Sequence, residues 1–394
     1  AQGLAARVWA DATAAYDDAA DVGARARLES TVGLLRSLAV TGGPGLLSAR
    51  EHRVAAIAAA DELGDVELTA RVIGAYDVPA IWTRVDDEGQ ARRVVGAAEH
   101  ALAGLPADAD PALRARLLAT VAVETRGSRS ARGPQAARLA ERIARDLDDP
   151  ALLAFALNGT WMQLFTRTGL ATERARVGHE LVTTARRAGL LTYEALGHMV
   201  GMQSASALGD VVTADAHAAR LDDLSATHEL PLIGVFTTWY RAMRLDAGDA
   251  PLGEAEAAYR AADARLEGAG MPGMHDGLLA LALLCARVRR GVPAPDDGLD
   301  TGPFTPWVAP WHLLARGRRA DAREALLRAP DPPPGLLLEA LWALMARAAV
   351  GLDVPDVAAR AAAALRPAEG EVAGAGSAVL TLGPVAPLLA DLGT

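Results

Sequence analysis

Asp149-Pro150-Ala151-Leu152-Leu153-Ala154-Phe155-Ala156-Leu157-Asn158-Gly159 joins a helix start to an unbroken apolar run. An aspartate before a proline sets a side-chain acceptor at the N-cap and a ring of fixed φ at the first helical position. The same start stands 39 residues earlier as Asp110-Pro111-Ala112-Leu113. Leu152-Leu153-Ala154-Phe155 is echoed by Leu190-Leu191-Thr192-Tyr193 and Leu230-Pro231-Leu232-Ile233, and Asp65-Val66-Glu67-Leu68 continues the series backwards, a period of about 40 residues. Strand signals are nearly absent, while Ala, Leu, Arg and Glu fill long windows at a spacing of three to four. The sequence therefore predicts an all-α chain.

Each unit holds two helices. Turns are expected at Arg132-Gly133-Pro134, Thr168-Gly169, Leu208-Gly209-Asp210 and Ala247-Gly248-Asp249. Second helices follow over Gln135–Leu147, Thr172–Ala188, Val212–Ala226 and Gly253–Leu266. Small residues recur inside the first helices at Gly74, Ala119, Gly159 and Gly197, with Thr237 the departure, which points to close approach between helices. One helix pair cannot bury both its faces, so successive pairs are expected to stack into a superhelix of helix-turn-helix repeats with one continuous core. Three parts are expected: a repeat array over 1–291, followed from Leu4 onward, a Pro/Gly-rich loop over 292–305, and further repeats with a cap or truncated repeat over 306–394. In the last part helices are expected over Trp307–Ala315, Ala320–Arg328, Leu336–Val350, Val357–Leu365 and Pro384–Leu392, broken at Gly317 and Pro332-Pro333-Pro334.

Composition narrows the function classes. The chain has 394 residues, is 51% hydrophobic and carries a net charge of -10, which disfavours it as a main nucleic-acid contact. It has no Lys, so a Walker A motif is impossible, and arginine stands wherever a cation is needed. The lone Cys285 cannot form an internal disulfide, no apolar run is long enough to span a bilayer, and a cytoplasmic setting follows. His179-Glu180 lacks the second histidine of a zinc-protease helix, and Gly376-Ser377-Ala378 lacks the glycine frame of a nucleophile elbow. Asp17-Asp18-Ala19-Ala20-Asp21 has the spacing of the carboxylates that hold Mg²⁺ in helical terpene cyclases, but aromatics are only 4% of the chain and an acidic solvated face accounts for it. No catalytic, cofactor or metal residue is assigned.

Two constellations remain as candidates. Trp161, Phe165, Met199, Met202, Trp239 and Tyr240 fall at matched places on the first helices of the middle repeats, as repeat core or as the lining of an inner ligand groove, with His198 and Gln203 as polar neighbours. Between positions 114 and 145 eight arginines face only Glu124 and Glu141. Arg126, Arg129, Arg132 and Arg138 are the candidate docking patch for an acidic partner, set against a solvated face balanced by acidic neighbours.

The helix pairs are similar to tetratricopeptide-type repeats. More specifically, Val72-Ile73-Gly74-Ala75-Tyr76-Asp77-Val78-Pro79-Ala80-Ile81-Trp82, the run 147–159 and Glu229-Leu230-Pro231-Leu232-Ile233-Gly234-Val235-Phe236-Thr237-Thr238-Trp239-Tyr240 resemble the C-terminal sensor region of large Streptomyces antibiotic regulatory proteins. That resemblance implies a non-enzymatic sensor and protein-interaction domain of a cytoplasmic transcriptional activator of secondary-metabolite genes. It implies an upstream ATPase, where ATP and Mg²⁺ are held, a bacterial transcriptional activator domain and a DNA-binding domain. The ATPase domain would be the main partner, with a small-molecule or peptide effector and a second copy as further ones. Those upstream domains are missing from this sequence and its first residue is Ala1, so a C-terminal segment is expected. In the related maltose-regulon activators a similar superhelix binds the inducer. A passive scaffold for self-association is the alternative, and a Mg²⁺-dependent cyclase a more distant one.

Overall fold

Aspartate side chains open the early helices. Asp65 accepts from the Leu68 amide, Asp87 from Gln90, Asp110 from Ala112, and Asp149 from both Ala151 and Leu152. Each satisfies amides that a helix N-terminus leaves without intrahelical partners. The computed structural model describes residues 23–228, 230–248, 250–294 and 298–393. The Asp17-Asp18-Ala19-Ala20-Asp21 motif, the start of the array at Leu4 and part of the expected Pro/Gly-rich loop lie outside them.

The helices run in order as α1 (Ala24–Ala39), α2 (Gly43–Glu62), α3 (Val66–Gly74), α4 (Glu88–Gly104), α5 (Pro111–Glu124), α6 (Arg132–Asp146), α7 (Pro150–Met162), α8 (Ala171–Ala188), α9 (Leu191–Ala207) and α10 (Val211–His228). They continue as α11 (Pro231–Ala247), α12 (Leu252–Leu266), α13 (Pro272–His275), α14 (Leu278–Arg289), α15 (Thr305–Ala315), α16 (Arg319–Arg328), α17 (Leu338–Leu352), α18 (Pro355–Leu365) and α19 (Val385–Asp391). Neighbours in sequence pack as neighbours in space, α1 on α2, α5 on α6, α8 on α9, α11 on α12 and α17 on α18, which is the packing of a helical repeat array. Two departures are local. Arg132-Gly133-Pro134 is the first turn of α6 and not a loop, since a proline this early removes an amide that had no intrahelical partner anyway. The helix expected from Trp307 starts two residues earlier, so that Pro306 falls in the first turn of α15, and Pro310 lies inside it. The Gly/Ala-rich tail adds one element, a two-residue antiparallel pair of β1 (Val372–Ala373) with β2 (Gly383–Pro384).

The small residues sit where helices come closest. A Cβ on Gly197 would stand 2.7 Å from the Val182 amide nitrogen, one on Gly74 would stand 2.7 Å from Arg116 Cβ, and one on Gly159 3.0 Å from Ala122 Cβ. At Gly197 the neighbour is backbone and cannot give way, while at Gly74 and Gly159 it is the first side-chain carbon of the facing helix.

The array does not stay open. The C-terminal helices fold back across the middle repeats, with Gly335 donating to the Phe165 carbonyl at 3.1 Å and the Thr168 hydroxyl to the Ala364 carbonyl at 2.5 Å. Farther along, the Ala171 amide donates to Glu371 at 3.0 Å and Gln203 to the Ser377 carbonyl at 3.4 Å. At the other end, Gly43 donates to the Ala269 carbonyl at 2.8 Å and Arg50 to Gly270 at 2.9 Å, so the first described repeat touches the turn after α12. One contiguous apolar core runs through all of these elements.

Gly197→Ala is expected to lower unfolding stability by about 1–3 kcal/mol through overpacking. Gly96→Ala, in mid-α4 with nothing within 4 Å of the added carbon, is expected to raise it by roughly 1 kcal/mol. Urea denaturation of both variants checks the pair; equal effects would contradict the packing described.

Candidate functional site

Between α3 and α4 the chain leaves helix for thirteen residues, 75–87. Pro79 has no amide to donate, and its ring pushes Val78 out of the helical region. The segment is nevertheless buried at Tyr76, Asp77, Trp82 and Thr83. Buried backbone without secondary structure needs other partners for its polar groups, and the neighbouring helices supply them. Asn158 on α7, fully buried, accepts from the Ala80 amide and donates to the Ala80 carbonyl, each at 2.9 Å. The Tyr193 hydroxyl donates to the Asp77 carbonyl at 2.6 Å, and Arg126 Nε to the Trp82 carbonyl at 3.0 Å. Thr83 Oγ1 accepts from the Leu336 amide at 2.9 Å, which ties the segment to the C-terminal block. The Asp77 carboxylate meets Arg36 at 2.7 Å and Arg116 at 3.3 Å.

This inner segment divides two chambers. The first is a cleft of about 160 Å³ among α2, α5, α9 and the start of α11, with Tyr76, Phe155, Leu196, Met199 and Ile233 among its walls. The second is larger, about 870 Å³, and lies between α4 and the C-terminal block, against Phe304, Trp307, Pro334, Leu338 and Leu341. Trp82, Arg84, Val85, Ala91, Glu124 and Arg126 belong to both. A chamber of this size with mostly apolar walls and a few convergent polar groups is of the kind that encloses a small organic molecule.

The shared wall carries charge. Arg53 Nη1 lies 2.5 Å from Glu124 Oε1, Arg126 Nη1 3.4 Å from Glu124 Oε2, and the Arg53 guanidinium sits 4.3 Å from the centre of the Tyr76 ring. Burial pushes the Glu124 carboxyl upward, but the two guanidiniums outweigh it and hold it below the usual carboxylate range. Burial raises Tyr76, so it stays a neutral phenol.

The residues expected to form a groove lie elsewhere. Trp161, Met202, Trp239 and Tyr240 are buried core: Trp161 meets Phe165 edge-on at 5.7 Å, Trp239 packs on Tyr259 at 5.9 Å, and the Tyr240 hydroxyl donates to Asp215 at 2.5 Å. Phe165 lies under Arg174, whose guanidinium is 4.9 Å from its ring centre, and Gln203 reaches the C-terminal tail. His198 pairs with His217, Nδ1 to Nδ1 at 2.9 Å, and burial followed by the neighbouring imidazole lowers it to about 4. Of the stripe, Met199 alone borders either of these two chambers. The proposed basic patch is also largely consumed. Arg126 is in the shared wall, Arg129 donates to the Pro332 carbonyl at 2.9 Å, and Arg132 forms two bonds to Glu99, while Arg138 is exposed. Arg129 is therefore spent on the proline turn of the chain's own C-terminal block. Tyr76, Trp82, Thr83, Arg53 and Trp307 were not singled out as site residues. The available signal was Val78-Pro79-Ala80-Ile81-Trp82, an apolar run that a proline bars from continuing the helix.

A second charged cluster holds the block in place. Arg174 on α8, 2% exposed, lies 3.7 Å from Glu371 and 4.0 Å from Glu339 on α17. One guanidinium cannot neutralise two carboxylates, and burial, acting with Glu371 against Arg174, raises Glu339 to about 7. A carboxyl raised in the folded state binds its proton more tightly there than in the unfolded chain. Its stabilising contribution is full below the unfolded value near 4.5 and is lost as pH climbs through about 7. Glu339→Gln is expected to leave stability at pH 4 nearly unchanged and to raise it at pH 8, on the order of 1 kcal/mol. Thermal unfolding across that range reads it, and a variant that is less stable at pH 8 would contradict the cluster's charge balance. Comparisons with protein-family models, with curated proteins and with solved structures find no match for this chain.

Proposed function

We propose that this chain is a non-enzymatic sensor module, a right-handed tetratricopeptide-like superhelix that takes a small-molecule effector into the chambers beside Trp82. The observation that carries this reading is the chamber of about 870 Å³, whose walls come partly from α4 and α5 and partly from the C-terminal block. An effector lying there touches both parts at once. It favours whichever arrangement of the two it fits better, and only by its difference in affinity between them. The resemblance of the runs 72–82, 147–159 and 229–240 to antibiotic regulatory proteins supplies the larger setting. There the module would restrain an upstream ATPase and DNA-binding unit of a cytoplasmic transcriptional activator until the effector arrives. No helix among the described residues is long and apolar enough to cross a membrane.

Gly96 offers a clean test, because it borders the large chamber and has open space where its side chain would be. Gly96→Trp is expected to fill the chamber while leaving the fold as stable as before. In a thermal-shift screen of amphipathic metabolites, a ligand at a hundred times its Kd stabilises the native chain by roughly 2.7 kcal/mol. That shift should vanish in Gly96→Trp. Hits that shift both proteins equally would place binding outside the chamber.

A further inference from the structure

Two polar groups on the wall of the smaller cleft lack what buried polar groups almost always have. Arg53, 9% exposed, donates to Glu124, but its Nε has no hydrogen-bond partner among the described residues. Thr120 lies one turn before Glu124 on α5 and is 1% exposed, and its hydroxyl is likewise without a partner among the described residues. Both residues line the cleft.

The other charges around the cleft cancel or are occupied. Arg50 pairs with Asp86 at 2.7 Å, and Arg84 with Asp276 at 3.1 Å. Asp87 is engaged as the cap of α4, accepting from the Gln90 amide at 2.8 Å. Arg126 spends its donors on Glu124 and on the carbonyls of Trp82 and Val123. What is left beside the two unpartnered groups is a pair of guanidiniums around a single carboxylate, a trio with one positive charge in excess, the other uncancelled charge of the lining being the carboxylate of Asp87 at the α4 cap. A buried charge without a counter-ion is costly. One anionic group would balance it, and a ligand acceptor would also use the free Arg53 and Thr120 groups. The apolar part of such a molecule has Leu196, Met199, Ile233 and Trp82 to lie against.

We propose that the effector is an amphipathic anion, bearing a single carboxylate or sulfonate that is received by Arg53 and Thr120 on the wall of the smaller cleft and an apolar body that extends past Trp82 into the larger chamber. This rests on the sensing function proposed above and specifies its ligand class. Two dyes with the same aromatic body separate the two claims. 8-Anilinonaphthalene-1-sulfonate carries an anionic group, and N-phenyl-1-naphthylamine is its uncharged counterpart. Titrated against the full chain at pH 7 and followed by fluorescence, the anionic dye is expected to bind one to one and about tenfold more tightly than the neutral one, the scale of a charged hydrogen bond. Arg53→Gln should remove that preference by weakening the anion about tenfold and leaving the neutral dye within about twofold. Glu124→Gln, which adds to the positive excess, should instead tighten the anion. These opposite responses of two core variants cannot come from loss of fold. Equal binding of the two dyes, or parallel weakening of both dyes in both variants, would overturn the anionic assignment while leaving an apolar sensing chamber. Binding of neither dye would overturn the sensing function and this inference with it.

Discussion

A stretch of irregular backbone buried inside a helical array must bring its polar groups to partners or not be there at all. In this chain the partner is the only asparagine it has. Asn158 presents both ends of its amide to the amide and carbonyl of Ala80, as a neighbouring strand would, because a carboxamide carries its acceptor and its donor side by side. Around that clamp the segment 75–87 becomes a fixed partition. Trp82 and Arg126 stand on it or against it, and both chambers owe their shape to it. Thr83 passes the constraint on to Leu336 and so to the C-terminal block.

The block itself is held by a few specific contacts at its edges. Arg129 meets the proline turn, Phe165 accepts from Gly335, and Arg174 is shared between Glu339 and Glu371. A purely apolar seal would be indifferent to small displacements. Buried ions and backbone bonds are not, because each loses its partner when the surfaces part. The large chamber lies along this seam, which is where a bound molecule has most influence on whether the seam stays closed.

Much of this was legible in the sequence. The repeat period, the helix pairs, the aspartate starts and the tight glycines follow from local chemistry, because a cap, a proline ring or a missing Cβ acts within one or two turns. The chambers did not, and the reason is geometric. Trp161 and Trp239 share a register with Met199, but the periodicity that aligns them does not say which face turns inward, and both tryptophans are fully buried between repeats. The arginines of 114–145 look like a surface excess when only nearby carboxylates are counted. Their partners are distant in sequence, as with Arg132 and Glu99 or Arg145 and Glu180. Closure of the array by its last ninety or so residues is likewise a long-range fact, and a quasi-one-dimensional picture of stacked repeats leaves it out.

Residue-resolved amide hydrogen exchange on the intact chain tests this account most directly. If the partition is clamped and the C-terminal block is docked upon it, the amides of Ala80 and Leu336 exchange as slowly as those in the centres of α7 and α9, although neither belongs to a helix. Rapid exchange at both, with α7 and α9 protected, would contradict it.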